Sequence, residues 1–273
     1  MPHSHPLVSS WVARLGARPP PVLAATRETL LACRARADRL DANALAQVVL
    51  QDPLMAVRVL TVAQQRFATR LSRALDTVTA ALVLLGIDPF FQAFAQLEAV
   101  EEHLAGRPSA LAGFQRALTV AARAARLAAA FAVHQQDANA EVLYETALLA
   151  DFGALLLWSE APDEALALDL LLSAHPQIDT VQAQRQVLGV ELKAIEAALM
   201  EQWNFPSLMR EMAQPGLPAG AGHRMVALAL RLAQLEQHGS EAERADAIAD
   251  AARLLNMGEA GAKALVMEVM PDA

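Results

Sequence analysis

The chain has one cysteine, Cys33, in 273 residues. That excludes an internal disulfide framework and any cysteine-rich zinc site. Beside Leu30 and Leu31, Cys33 reads as a small apolar side chain in a helix. Aromatic residues are scarce, 4% against 55% hydrophobic residues overall, so alanine and leucine carry the apolar content. Both are among the best helix formers, because neither loses much side-chain entropy in a helix. Valine and isoleucine are comparatively few and scattered, and no segment reads as a β-strand. Long hydrophobic runs are missing too. The charge-free stretches Leu127–Val133 and Ala80–Gly86 fall far short of the ~20 residues that span a bilayer. The N-terminus has no charged start leading into an apolar run, so no secretory signal is read; a cytoplasmic protein without a membrane partner is expected.

Positive charge is the minority sign, with 22 Lys and Arg against 30 Asp and Glu and a net charge of −8. Nucleic-acid binding draws most of its affinity from clustered cations that release counterions, so a nucleic-acid partner is not expected. The best basic groupings, Arg34, Arg36, Arg39 and Arg66, Arg70, Arg73, lie in helical-looking stretches and read as solvated faces. Catalytic signatures are also absent. There is no Gly-x-Ser-x-Gly elbow, no Gly-x-x-x-x-Gly-Lys-Ser/Thr loop and no Gly-x-Gly-x-x-Gly loop, and Cys33 has no local activating group. None of the seven histidines, His3, His5, His103, His134, His175, His223 and His238, shares helical spacing with another. They read as surface or helix-end residues.

What is present is helix punctuation. Asp52-Pro53 and Asp88-Pro89 each precede an apolar-periodic segment, as an N-cap carboxylate followed by a proline that gives up no needed donor. Helices are expected to begin at Pro53 and Pro89. Asp76 or Thr77 should cap a helix that ends at Gly86 in a left-handed turn. Phe114, Leu118, Ala121, Ala125 and Ala128 form one stripe of a long helix, with Arg116, Arg123 and Arg126 opposite. Glu141–Trp158 is apolar nearly throughout and reads as one buried central helix neighbouring it. Trp158 and Trp203 read as core, whereas Trp11 sits in a short amphipathic stretch that either folds back on the body or enters a partner's groove. Arg18-Pro19-Pro20-Pro21 is a stiff lead-in, and Gln214–Gly220 is a breaker. A helix follows from about Gly222 to Gln237, and Ser240–Met270 reads as two short helices broken near Gly258 and Gly261.

The order of several segments is similar to a known pattern. Pro20-Pro21-Val22 is followed by Leu45-Ala46-Gln47-Val48-Val49 and by Asp52-Pro53-Leu54-Met55-Ala56-Val57-Arg58-Val59-Leu60. Thr77–Gly86, Ala147-Leu148-Leu149-Ala150-Asp151-Phe152-Gly153, Leu188-Gly189-Val190-Glu191-Leu192 and Trp203-Asn204-Phe205-Pro206 follow in turn. Together they resemble the HDOD domain, the HD-related output domain of bacterial signalling proteins. The resemblance implies an all-α, two-lobed helical bundle. Residues 18–108 would form an N-terminal helical lobe and 109–215 a lobe related to the HD phosphohydrolase fold, with 1–17 as a lead-in and 216–273 as C-terminal helices.

HD enzymes hold metal with a His-Asp pair and further His and Asp residues. Here Ala150 stands at the histidine of the pair, leaving Asp151 alone. The other histidine positions fall near Arg116 or Ala117, at Leu192, and near Gln214 and Pro215. One carboxylate cannot hold a catalytic divalent ion, so no catalytic residue, no metal ligand and no cofactor is expected. A lone carboxylate in an apolar helix is costly unless bonded. Asp151, the vestigial HD position, should therefore bind a helix N-terminus or an arginine such as Arg116 or Arg123. The expected function is a non-catalytic signal-transduction or protein-interaction module that contacts other signalling proteins, with self-association left open. A small-molecule, nucleotide-like sensor using the vacated HD site is the first alternative, and a divergent metal-dependent phosphohydrolase the second.

Overall fold

A computed structural model describes residues 6–67, 76–175, 177–205, 209–210 and 220–270. Among these the regular structure is helical throughout, and the all-α expectation holds. The only β-type pairing among them is a single parallel bridge between Val22 and Ala99. There Val22 N–H donates to Glu98 O at 2.9 Å and Val100 N–H to Val22 O at 2.8 Å, fastening the proline lead-in to the chain near residue 100.

The chain divides into two compact units that interleave in sequence, residues 1–117 with 151–214, and residues 118–150 with 215–273. The first unit contains α1 (Pro6–Leu15), α2 (Ala24–Arg34), α3 (Ala42–Val49), α4 (Pro53–Phe67), α5 (Val78–Leu85), α6 (Ile87–Ala93) and α7 (Val100–His103). The long α8 (Pro108–His134) begins there, and α10 (Phe152–Glu160), α11 (Pro162–Ala174), α12 (Thr180–Leu188) and α13 (Leu192–Gln202) complete it. α4 starts at Pro53 as expected, and Leu54, Met55, Val57, Val59, Leu60 and Ala63 make it the most buried helix of its lobe. It packs with α3 and α5. Thr77 caps α5, accepting from Ala80 N–H at 3.1 Å.

The second Asp-Pro pair behaves differently. α6 begins at Ile87, one step before Asp88, because Gly86 ends α5 and opens α6 by itself. Its φ of 80° and ψ of 153° are an extended, positive-φ conformation rather than the expected left-handed turn. Only glycine adopts it without strain. Pro89 then falls among the first-turn positions, where a missing N–H leaves no bond unmade.

α1 folds back on the body, packing along α13 and α10. Trp11 Nε1–H donates to Leu188 O at 3.0 Å. Phe152, Trp203 and Phe205 form a tilted aromatic cluster with ring centroids 5.7–6.0 Å apart. Trp203 is core as expected, but Trp158 is only half-buried. Gly113 of α8 lies against its ring, with Arg116 above the face at 5.9 Å.

The second unit contains the remainder of α8, α9 (Ala140–Leu149), α14 (Ala221–His238), α15 (Glu241–Leu255) and α16 (Glu259–Val269). Small residues set its packing. Ala247, Ala251 and Ala252 are buried on α15, and Gly222 lets α14 approach Leu143 of α9. Ser240 and Glu243 cap α15 reciprocally, and Asn256 ends it in the left-handed region. The expected break falls at residues 256–258, and Gly261 lies inside α16 rather than at a break. By length and composition α8 is the one described helix that could cross a bilayer. Phe114, Ala121, Ala124, Ala125, Leu127, Ala128 and Phe131 of that helix are buried in the protein.

Candidate functional site

The expected single helix over Glu141–Trp158 is two helices, α9 and α10, and the break falls at Ala150-Asp151. Asp151 leaves the helix, with φ −119° and ψ 32°. The physical reason lies in α13. Its Leu192, Ile195, Leu199 and Met200 are buried, and Glu196 shares that apolar face with its side chain 1% exposed. The Glu196 carboxylate accepts from Gly153 N–H at 3.0 Å, satisfying an amide in the first turn of α10 that no intrahelical carbonyl can reach. A Cβ at position 153 would lie 2.5 Å from Glu196 Cγ, so only glycine admits the carboxylate there.

Lys193 completes the cluster. Its Nζ lies 2.5 Å from Asp151 Oδ1 and 2.7 Å from Glu196 Oε2. Asp151 thus pairs with Lys193, a partner the expectation did not name, and Arg116 donates to Asp169 Oδ2 at 2.8 Å. Burial, reinforced by the Asp151 charge, pushes Glu196 up to about 7 against the pull of Lys193 and the Gly153 amide. Burial opposes the charge on Lys193, but Glu196 and Asp151 outweigh it and hold the ammonium protonated well above its ordinary range.

Of the residues expected at the HD histidine positions, Leu192 is a core residue, and Ala150 ends α9. Gln214, Pro215 and Pro206 lie outside the described residues, as do His3, His5, Arg70 and Arg73. Of the remaining histidines, His103 sits at the surface beside Glu98 and Arg18. Among the described residues no group of three or more His, Cys, Asp and Glu side chains could hold a metal ion. The two carboxylates that do converge already share a fixed ammonium, so this donor set does not fit the divalent ions of HD enzymes.

Sequence reasoning passed over Lys193 and Glu196. The signal was available: residues 192, 195, 196 and 199 fall on one helical face, and a glutamate there among Leu, Ile and Leu must be buried and partnered. Lys193, three residues before it, was the nearest cation on the same helix.

A family model for the HDOD domain matches residues 21–215. The chain belongs to the HDOD family. Two solved structures are similar to it. The MmoQ response regulator from Methylococcus capsulatus str. Bath is 20% identical, with 90% of this chain and 97% of that one covered and a TM-score of 0.67. A virulence factor from Campylobacter jejuni subsp. jejuni is 16% identical, covers 98% of both chains and has a TM-score of 0.68. At these identities the likeness concerns the HDOD fold alone. No curated protein matches the chain.

Proposed function

We propose that this HDOD chain is a non-catalytic signal-transduction module of the cytoplasm, acting through contacts with other signalling proteins. The observation that carries this reading is Lys193, whose ammonium sits between Asp151 and Glu196 at the position where the HD enzymes gather metal. A lysine ammonium paired with the two acidic side chains offers no bound water to deprotonate, and phosphate hydrolysis in HD enzymes depends on that water. The naming of MmoQ, which shares the fold, as a response regulator agrees with a signalling role. The nucleotide-like sensor at the vacated site is less favoured, because the Glu196 side chain fills the space beside Gly153 and Lys193 pairs with it.

Two measurements test the proposal. Metal analysis of the purified protein should find no stoichiometric transition metal, and bis-p-nitrophenyl phosphate should be hydrolysed no faster by the wild type than by Asp151→Ala. A stoichiometric metal lost in Asp151→Ala, together with loss of turnover, would establish the phosphohydrolase reading instead. Affinity capture from the native host, repeated with surface variants, would then identify the partner.

A further inference from the structure

A second place in the first unit combines charge, an unmade hydrogen bond and aromatic walls. A cavity of about 290 Å³ opens between the proline lead-in and α4. Pro19, Pro20, Arg58, Thr61, Phe94 and Trp203 are among its walls. Arg58 is half-buried, and its guanidinium lies 5.7 Å from the centre of the Phe94 ring. Among the described residues it donates to Pro20 O alone, at 3.0 Å, which commits one of its five donors. No carboxylate forms an ion pair with it among the described residues. The nearest relevant charge, Asp52, spends its oxygens on the Leu23, Leu54 and Met55 amides. Burial consequently lowers the pKa of Arg58, with Asp52 only partly opposing it.

One helical turn on, the Thr61 hydroxyl is shut away from solvent and has no hydrogen-bond partner. A buried hydroxyl left unbonded costs roughly 1–3 kcal/mol, and a buried cation without its counter-charge is costlier still. Arg58 and Thr61 both line this cavity, and an anionic group lodged between them would relieve both deficits. Arginine presents a planar fork that matches a carboxylate or phosphate. Trp203 and Phe94 offer flat apolar faces for whatever carries that group. The volume lies at the lower end of the range for small-molecule sites, about 300 Å³ upward.

We propose that this cavity binds a small aromatic or similarly flat organic anion, its carboxylate or phosphate held by Arg58 and Thr61 and its body against Trp203 and Phe94. The site is separate from the Asp151–Lys193–Glu196 cluster and stands whether or not the chain signals through protein contacts. It would give the module a chemical input.

The test uses the full chain with benzoate, phenyl phosphate and benzyl alcohol as probes, read by thermal shift and by calorimetry. A ligand that binds only the folded state raises the melting temperature in a saturable way. Benzoate or phenyl phosphate should do so, and the better of the two identifies the anionic group preferred. Benzyl alcohol should not. Thr61→Val keeps the side-chain shape and removes the unbonded hydroxyl, so it should fold at least as stably while binding the anion roughly tenfold or more weakly. Arg58→Lys, which keeps the charge but loses the fork, should weaken binding further. The proposal is overturned if neither anion gives saturable stabilisation, if benzyl alcohol stabilises as well as the anions, or if Thr61→Val binds as tightly as the wild type.

Discussion

Gly153 and Glu196 are matched so closely that each dictates the other. The amide of Gly153 donates to Glu196 Oε1 at 3.0 Å, and a methyl group at 153 would lie 2.5 Å from Glu196 Cγ and 2.7 Å from Oε1. The obstacle is the inner part of a fully buried side chain, which cannot swing aside. Gly153→Ala should therefore destabilise the protein by about 1–3 kcal/mol, the usual range for overpacking. Chemical denaturation of the variant checks this. Placing the same change in a Glu196→Ala background should remove most of the penalty; an additive double mutant would show that the clash is not with Glu196.

The same carboxylate makes stability depend on pH. Glu196 lies at about 7 in the folded protein against 4.5 ordinarily, so between those values the folded state keeps a proton the unfolded chain has released. Its contribution is fully present below the unfolded value and is lost as pH rises through the folded one. Lys193 is shifted upward and stays charged across this window. Glu196→Gln, which resembles the protonated form, should track the wild type near pH 5 and become the more stable protein by pH 8. The gap should widen by on the order of 3 kcal/mol. Melting curves of both proteins across this range, taken as a difference so that other carboxylates cancel, decide the matter; parallel profiles would sink it.

How far the sequence revealed this site follows from what kind of information each part needed. The Asp52-Pro53 start, the Thr77 cap and the α8 stripe are local signals, legible because capping and periodicity act within a few residues. The ordered motifs that resemble the HDOD pattern pointed to the family and drew attention to Asp151. The interruption between α9 and α10 could not be read from a nearly continuous apolar run, since the Gly153 amide at the start of α10 is met by Glu196, more than forty residues downstream. The pairing of Lys193 with Asp151 is tertiary in the same sense. Gly86 misled for a different reason: a glycine between two apolar stretches signals a positive φ without saying which ψ accompanies it.

Among the described residues Asp52 is the most heavily used helix cap. It is 1% exposed and accepts from Leu23 N–H at 2.6 Å, Leu54 N–H at 3.0 Å and Met55 N–H at 3.1 Å. Burial pushes its carboxyl up, and these bonds pull it back. Asp52→Ala removes the acceptor from three amides at once, two of them at the start of the most buried helix of the lobe. A loss of about 3 kcal/mol or more follows from the cap and desolvation terms together. Asp52→Asn keeps one acceptor oxygen and should lose less. Equal losses in the two variants, measured by denaturant titration, would mean that side-chain volume rather than hydrogen bonding matters here.

Beside the buried Val8 and Leu15, α1 makes two polar contacts with the body through Trp11 and Arg14, and burial decides which of these two matters more. Trp11 Nε1–H donates to Leu188 O at 3.0 Å in a part-buried setting. Arg14 lies over the Trp11 ring at 5.1 Å and pairs with Glu164, but the side chains of that pair are 45% and 29% exposed. Solvent and salt screen such a pair, and its contribution should be near zero to ~1 kcal/mol. Trp11→Phe keeps the ring surface and gives up the bond, leaving the Leu188 carbonyl to water or to nothing, at a cost of about 1 kcal/mol. Hydrogen exchange of the α1 amides should therefore accelerate in Trp11→Phe and stay close to wild type in Glu164→Gln. The reverse ranking would mean that the ion pair, not the indole, anchors the helix.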